Sequence, residues 1–154
     1  MGYAVSREVA ETFFKVYAVR DMVRVAPFLR DDVLWTISGP VDLLPFCGTR
    51  RGKAAVIDLL GRTVPTVLRV FRFTTELLLV DGDRVASLNR LSARGTADGR
   101  TISYRVAHFM RFADDKVAEN FTFIDSFDAV EQVLGHTSPV HDTPSLLGND
   151  IVAL

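Results

Sequence analysis

The chain has 154 residues, 48% hydrophobic and 24% charged, with a formal net charge of −1. That length suits one domain around one core, and the near-zero charge gives no reason to expect nucleic acid or an anionic membrane as a partner. One cysteine, Cys47, excludes an internal disulfide framework and a multi-cysteine zinc site, and it fits a reducing cytoplasm.

The N-terminus, MGYAVSREVAETFF, lacks a basic region followed by an unbroken apolar core, so it does not read as a signal peptide, and no apolar run is long enough to span a bilayer. Ser6 is a good N-cap. After it, Val9, Ala10, Phe13, Phe14, Val16 and Tyr17 recur at three- and four-residue spacings, which predicts an amphipathic helix over 7–20 with an aromatic face. Asp21 caps a shorter helix carrying Met22, Val25, Ala26 and Leu29, broken or 3₁₀ near Pro27. Val33, Trp35 and Ile37 alternate with Leu34, Thr36 and Ser38 in a strand that Gly39-Pro40 ends. Residues 39–52 read as a loop. Gly52 opens a third helix from Lys53 to about Arg62, closed by Pro65.

From Val67 the pattern turns to strands. Residues 67–80 and 84–96 flank the turn Asp81-Gly82-Asp83, and Asp98-Gly99 leads into a last pair joined by Ala113-Asp114-Asp115. In that pair Ile102, Tyr104, Val106, His108, Met110 and Phe112 share a face, as do Asn120, Thr122 and Ile124, while Phe109, Phe121 and Phe123 leave the opposite side. His108 and Tyr104 interrupt an otherwise apolar face, so each needs a partner or a cavity. Asp125 or Ser126 caps a final helix ending at Gly135, and residues 136–154 read as an extended C-terminal arm beyond a domain of 1–135. Segregated helices and a meander imply an α+β fold: a curved, mostly antiparallel sheet with three N-terminal helices on its concave face and a pocket between.

Three stretches carry a family resemblance: RDDVLWTISG in the first strand, CGTRRGKAAVIDLL into the third helix, and AHFMRFADDKVAENFTFID in the last strand pair. With the element order, they resemble the nuclear transport factor 2-like superfamily of cystatin-like cones. It includes SnoaL-like polyketide cyclases, ketosteroid isomerases and limonene-epoxide hydrolases. The resemblance spans nearly all of 5–135. It implies a small-molecule cavity walled by Tyr17, Trp35, Ile37, Asn89, Leu91, Tyr104, Val106, His108, Asn120 and Thr122.

Position by position, the isomerase general-base Asp falls at Ile37 and the oxyanion-binding Tyr at Phe13, with Tyr17 one turn later. The protonated Asp falls at His108, where SnoaL-like cyclases carry a His, and the cyclase acid/base Asp aligns with Thr122. The matched pattern thus lacks the carboxylate base. What remains is His108 as acid/base or oxyanion donor, Tyr104 and Tyr17 as further donors, and Asn89 and Asn120 as orienting groups, with Trp35, Ile37, Val106 and Thr122 lining the ligand. The ligand implied is apolar with a carbonyl or hydroxyl.

GTRRGKA at 48–54 is not a phosphate loop: three residues, not four, separate its glycines, and Ala54 replaces the magnesium-binding Ser or Thr. His136 and His141 form no metal set with neighbouring carboxylates, so neither metal nor cofactor is expected. A second reading is a non-catalytic dimeric interaction module whose cavity is filled core and whose sheet carries the contact through Phe109, Phe121 and Phe123.

Overall fold

The computed structural model describes residues 3–135, so the expected arm 136–154, with His136 and His141, lies outside the described residues. Helix α1 (Arg7–Val19) starts where the Ser6 hydroxyl accepts the Val9 N–H at 3.1 Å. It ends one residue earlier than expected, because Arg20 turns left-handed at φ 61°. The short α2 (Met22–Val25) runs into a 3₁₀ turn, Ala26–Phe28, at Pro27.

Leu29 is not part of that helix. It is the first residue of β1 (Leu29–Ser38), fully buried, because the chain turns extended right after the 3₁₀ turn. The stretch 39–52, read as loop, contains a strand, β2 (Gly48–Arg51), antiparallel to β1 from Leu34↔Arg51 to Ile37↔Gly48. The third helix runs further than its sequence suggested. α3 (Lys53–Asp58) passes through a π-turn at Leu59–Thr63 into α4 (Val64–Val67), and Pro65 sits in the first turn of α4.

Strands β3 (Leu68–Asp81), β4 (Arg84–Gly95), β5 (Thr101–Ala113) and β6 (Lys116–Ile124) form the expected antiparallel meander. β5 and β6 are joined by a tight turn in which Asp114 and Asp115 both have positive φ, as a primed turn requires. β1 then pairs in parallel with β6, giving one six-stranded sheet ordered β2-β1-β6-β5-β4-β3. Irregular register in β3 at Val70/Arg72 and Thr75/Leu77, and between β5 and β6 at Arg111/Phe112, bends the sheet. Helix α5 (Ser126–Leu134) is capped by Asp125, which accepts the Asp128 N–H, and closes at left-handed Gly135.

Burial follows the alternation. In β5 the even positions from Ile102 to Phe112 are buried, and in β6 Asn120 and Thr122 are buried while Phe121 and Phe123 are exposed. The buried set faces α1, whose Phe13, Phe14 and Tyr17 fill the concave side. One close approach locks the end of β1: a Cβ on Gly39 would lie 2.6 Å from the Sγ of buried Cys47. Gly39→Ala is therefore expected to lower unfolding free energy by about 1–3 kcal/mol. In urea melts, Gly39→Ala/Cys47→Ala should be less destabilised than the sum of the single changes; strict additivity would show that the two sites do not clash.

Candidate functional site

His108 sits mid-strand in β5, opposite Ser87 of β4 and Thr122 of β6, and its side chain is 1% exposed. Four aromatic rings surround it: Phe14, Tyr17, Trp35 and Phe73 have centroids 5.6–6.2 Å from the imidazole. Nδ1 lies 3.2 Å from Asn120 Oδ1 and 2.9 Å from Thr122 Oγ1, and Asn120 Nδ2 donates to the Thr122 hydroxyl at 2.7 Å. An amide oxygen can only accept. With the Asn120 amide in this orientation, the ring carries its proton on Nδ1 and donates it there. Nε2 is then a lone pair, and this buried atom has no hydrogen-bond partner among the described residues.

Burial pushes the imidazole down to about 4; the Asn120 hydrogen bond opposes this shift and the Arg20 charge adds to it. The ring is therefore neutral at pH 7. Burial likewise drives the Tyr104 phenol upward, so it remains a donor, and raises the Cys47 thiol to about 11, which removes it as a nucleophile.

His108 belongs to the wall of a small cavity of about 30 Å³. Of the expected wall residues, Tyr17, Ile37, Leu91, Tyr104, Val106, His108 and Thr122 line it together. The other three do not. Trp35 is fully buried behind Tyr17, stacked at 6.1 Å, and is a packing residue here. Asn120 stands behind His108 and orients it. Asn89 is committed within the sheet: it accepts from Thr75 Oγ1 at 2.9 Å and donates to Ser87 Oγ and the Val106 carbonyl.

The structure adds a lining residue that the sequence reading missed, Arg20. Its guanidinium lies over the Tyr17 ring at 4.7 Å and the Phe73 ring at 5.9 Å. The signal was present, because Arg20 follows Tyr17 by three positions and so continues the aromatic face of α1. The inner cavity is small, with Tyr17, Phe46 and Phe73 among the side chains that close around it. A larger cleft of about 420 Å³ opens between α1 and β3, and Phe14 and Phe73 form part of its inner wall. Among the described residues no cluster of side chains suits a metal ion, and no helix is long and apolar enough to cross a membrane.

Residues 10–120 match the family model of the SnoaL-like domain. The chain belongs to the SnoaL-like domain family. A proposed isomerase from Rhodopseudomonas palustris is 32% identical, with TM-score 0.71 over 82% of this chain and 93% of that one. A nuclear transport factor 2-like protein from Burkholderia pseudomallei K96243 is 21% identical, with TM-score 0.74 over 82% and 95%. TerC, co-crystallised with polyporic acid, is 22% identical, with TM-score 0.73 over 82% and 96%. The last two show that the fold is shared. No curated protein matches this sequence. The SnoaL-like cone is thus present with a histidine at the centre of its concave face and no carboxylate among the lining residues.

The buried imidazole has a consequence for stability. Its folded value, about 4, lies below the ordinary 6.5, so between these pH values the unfolded chain binds a proton that the folded chain does not. The stabilisation is complete above about 6.5 and is lost as pH falls toward about 4, by roughly 3 kcal/mol from this group. Urea melts at pH 7 and pH 4.5 should show the loss in the wild type and a smaller loss in His108→Gln; equal losses would contradict a buried neutral ring.

Proposed function

We propose that this SnoaL-like cone binds a small apolar molecule bearing a carbonyl or hydroxyl and transfers a proton on it, with His108 Nε2 as the base. The observation that carries the reading is the partnerless Nε2: a fully buried acceptor on a residue of the cavity wall leaves a desolvation cost that a bound group would relieve. In the reaction a C–H proton next to the ligand carbonyl passes to Nε2, and the released electron pair moves onto the carbonyl oxygen. Tyr104 and Tyr17 line the same cavity and donate to that oxygen. Thr122 and Asn120 hold the Nδ1 proton and stabilise the imidazolium as it forms. The donor role toward an oxyanion does not fall to His108, whose only proton is already committed. A base of this strength suffices where donors stabilise the enolate, as in ketosteroid isomerases.

The cavity of about 30 Å³ holds a water-sized group, so a ligand needs further space. Phe73 supplies the route. Phe73 lines both the inner cavity and the cleft of about 420 Å³, and rotation of its ring is the proposed way to join the two. The reactive carbonyl then lies at His108 and the apolar body lies under α1. A ketone with acidic C–H bonds, 2-tetralone, tests this: deuterium exchange next to its carbonyl, followed by NMR, is expected to accelerate with wild type. The rate should fall about 100-fold or more in His108→Gln, and Phe73→Ala should accept the probe faster. No acceleration by wild type over buffer would remove the catalytic role.

One observation favours a second reading, a dimeric interaction module. On the convex face Phe109, Phe121 and Phe123 are 52%, 44% and 50% exposed, with Phe109 and Phe123 in edge contact at 5.9 Å. A patch of that kind is seldom left in water, and we read it as the contact with a second copy. Sedimentation should give a dimer for wild type and a monomer for Phe109→Glu/Phe123→Glu; a monomeric wild type would rule this contact out. A dimer contact on this face is compatible with a ligand in the cone, since the faces are opposite, whereas a non-catalytic module with a filled core is the rival of the catalytic reading.

A further inference from the structure

We propose that Arg20 makes the cone selective for acids: the ligand carries a carboxylate that pairs with this guanidinium, while its apolar body rests among the rings. The inference rests on the ligand-binding reading above and adds the charge of the ligand to it. Four observations lead to it.

First, Arg20 is placed with some strain. It caps α1 in the left-handed region at φ 61°, a conformation that costs a non-glycine residue about 1–2 kcal/mol, and its N–H is held by the Tyr17 carbonyl at 3.1 Å. Second, the guanidinium turns inward: it lies over Tyr17 and Phe73 and belongs to the cavity wall. Third, Nη1 is buried with no hydrogen-bond partner, and no Asp or Glu pairs with Arg20 among the described residues. Elsewhere on the surface arginines find carboxylates readily, as Arg30 does with Asp32 at 2.8 Å and Arg111 with Glu119 at 3.0 Å. Fourth, the cavity lining contains no acidic residue, so its only fixed charge is positive.

A cation held over two rings recovers part of its lost hydration, yet the free Nη1 still lacks an acceptor. A carboxylate supplies two acceptors in one plane, which is the geometry a guanidinium fits best. A neutral carbonyl would satisfy one donor and leave the charge unbalanced. The position of Arg20 over Phe73 also links charge to the proposed route of entry: drawing the guanidinium onto an anion takes it off a ring that lines both the cavity and the outer cleft.

Two probes of equal shape decide the matter, 2-naphthoic acid and 2-naphthamide, titrated calorimetrically at pH 7. Wild type is expected to bind the acid about tenfold or more tightly than the amide. Arg20→Gln should lose that preference by weakening the acid alone, and Arg20→Lys should keep part of it, with thermal melts checking that each variant folds. Equal affinity of wild type for the two probes, or an undiminished preference in Arg20→Gln, overturns the assignment of charge selectivity and leaves the ligand-binding reading standing. Binding of neither probe overturns both. Should Arg20→Gln fail to fold, the wild-type comparison of acid with amide decides alone.

Discussion

The two-residue period of β5 is the constraint on which the rest depends. A strand sends alternate side chains to opposite faces, so the placement of Ile102 fixes that of Phe112 ten residues on. The same alternation puts His108 on the concave side and Phe109 on the convex side. β6 repeats the arrangement in register, setting Thr122 opposite His108 and Phe121 opposite Phe109. A slip of one residue in β5 would carry the imidazole into solvent and Phe109 into the cone. The apolar bulk of the even positions is what forbids the slip, so packing and chemistry share one device.

Within that frame the polar groups divide into two kinds. Asn89, Ser87 and Thr75 are satisfied by one another and by the Val106 carbonyl, and they tie β3, β4 and β5 together at a place where the sheet bends. Asn120 and Thr122 spend their hydrogen bonds on His108 and thereby decide which ring nitrogen is free. Asn89 and Ser87 are as buried as Asn120 and Thr122, but only the second set leaves an unspent atom, on His108. That difference, and not burial itself, separates a structural amide from a group available for chemistry.

Much of this was legible in the residues. The aromatic stripe of α1, the alternation of β4 to β6 and the family stretches were enough for the α+β cone and for the inward direction of Tyr104 and His108. Other features were not. β2 is four residues, GTRR, inside a stretch rich in Gly and Pro, and its strand character comes from pairing with β1 and not from its own propensity. The parallel β1–β6 contact joins segments distant in sequence, and nothing local encodes it. Trp35 and Asn89 have the inward parity of cavity residues, but parity cannot tell the lining from the layer behind it. The volume of the void depends on how several rings nest, which no one-dimensional pattern records.

Trp35 is the only tryptophan in the chain, and it is sealed from water against Tyr17 and the imidazole. Emission excited at wavelengths that tyrosine does not absorb therefore comes from a single indole in an apolar setting, one layer behind the cavity wall. Its colour and lifetime are an unlabelled gauge of the rings around it. Any rearrangement of the cone's interior would register there optically.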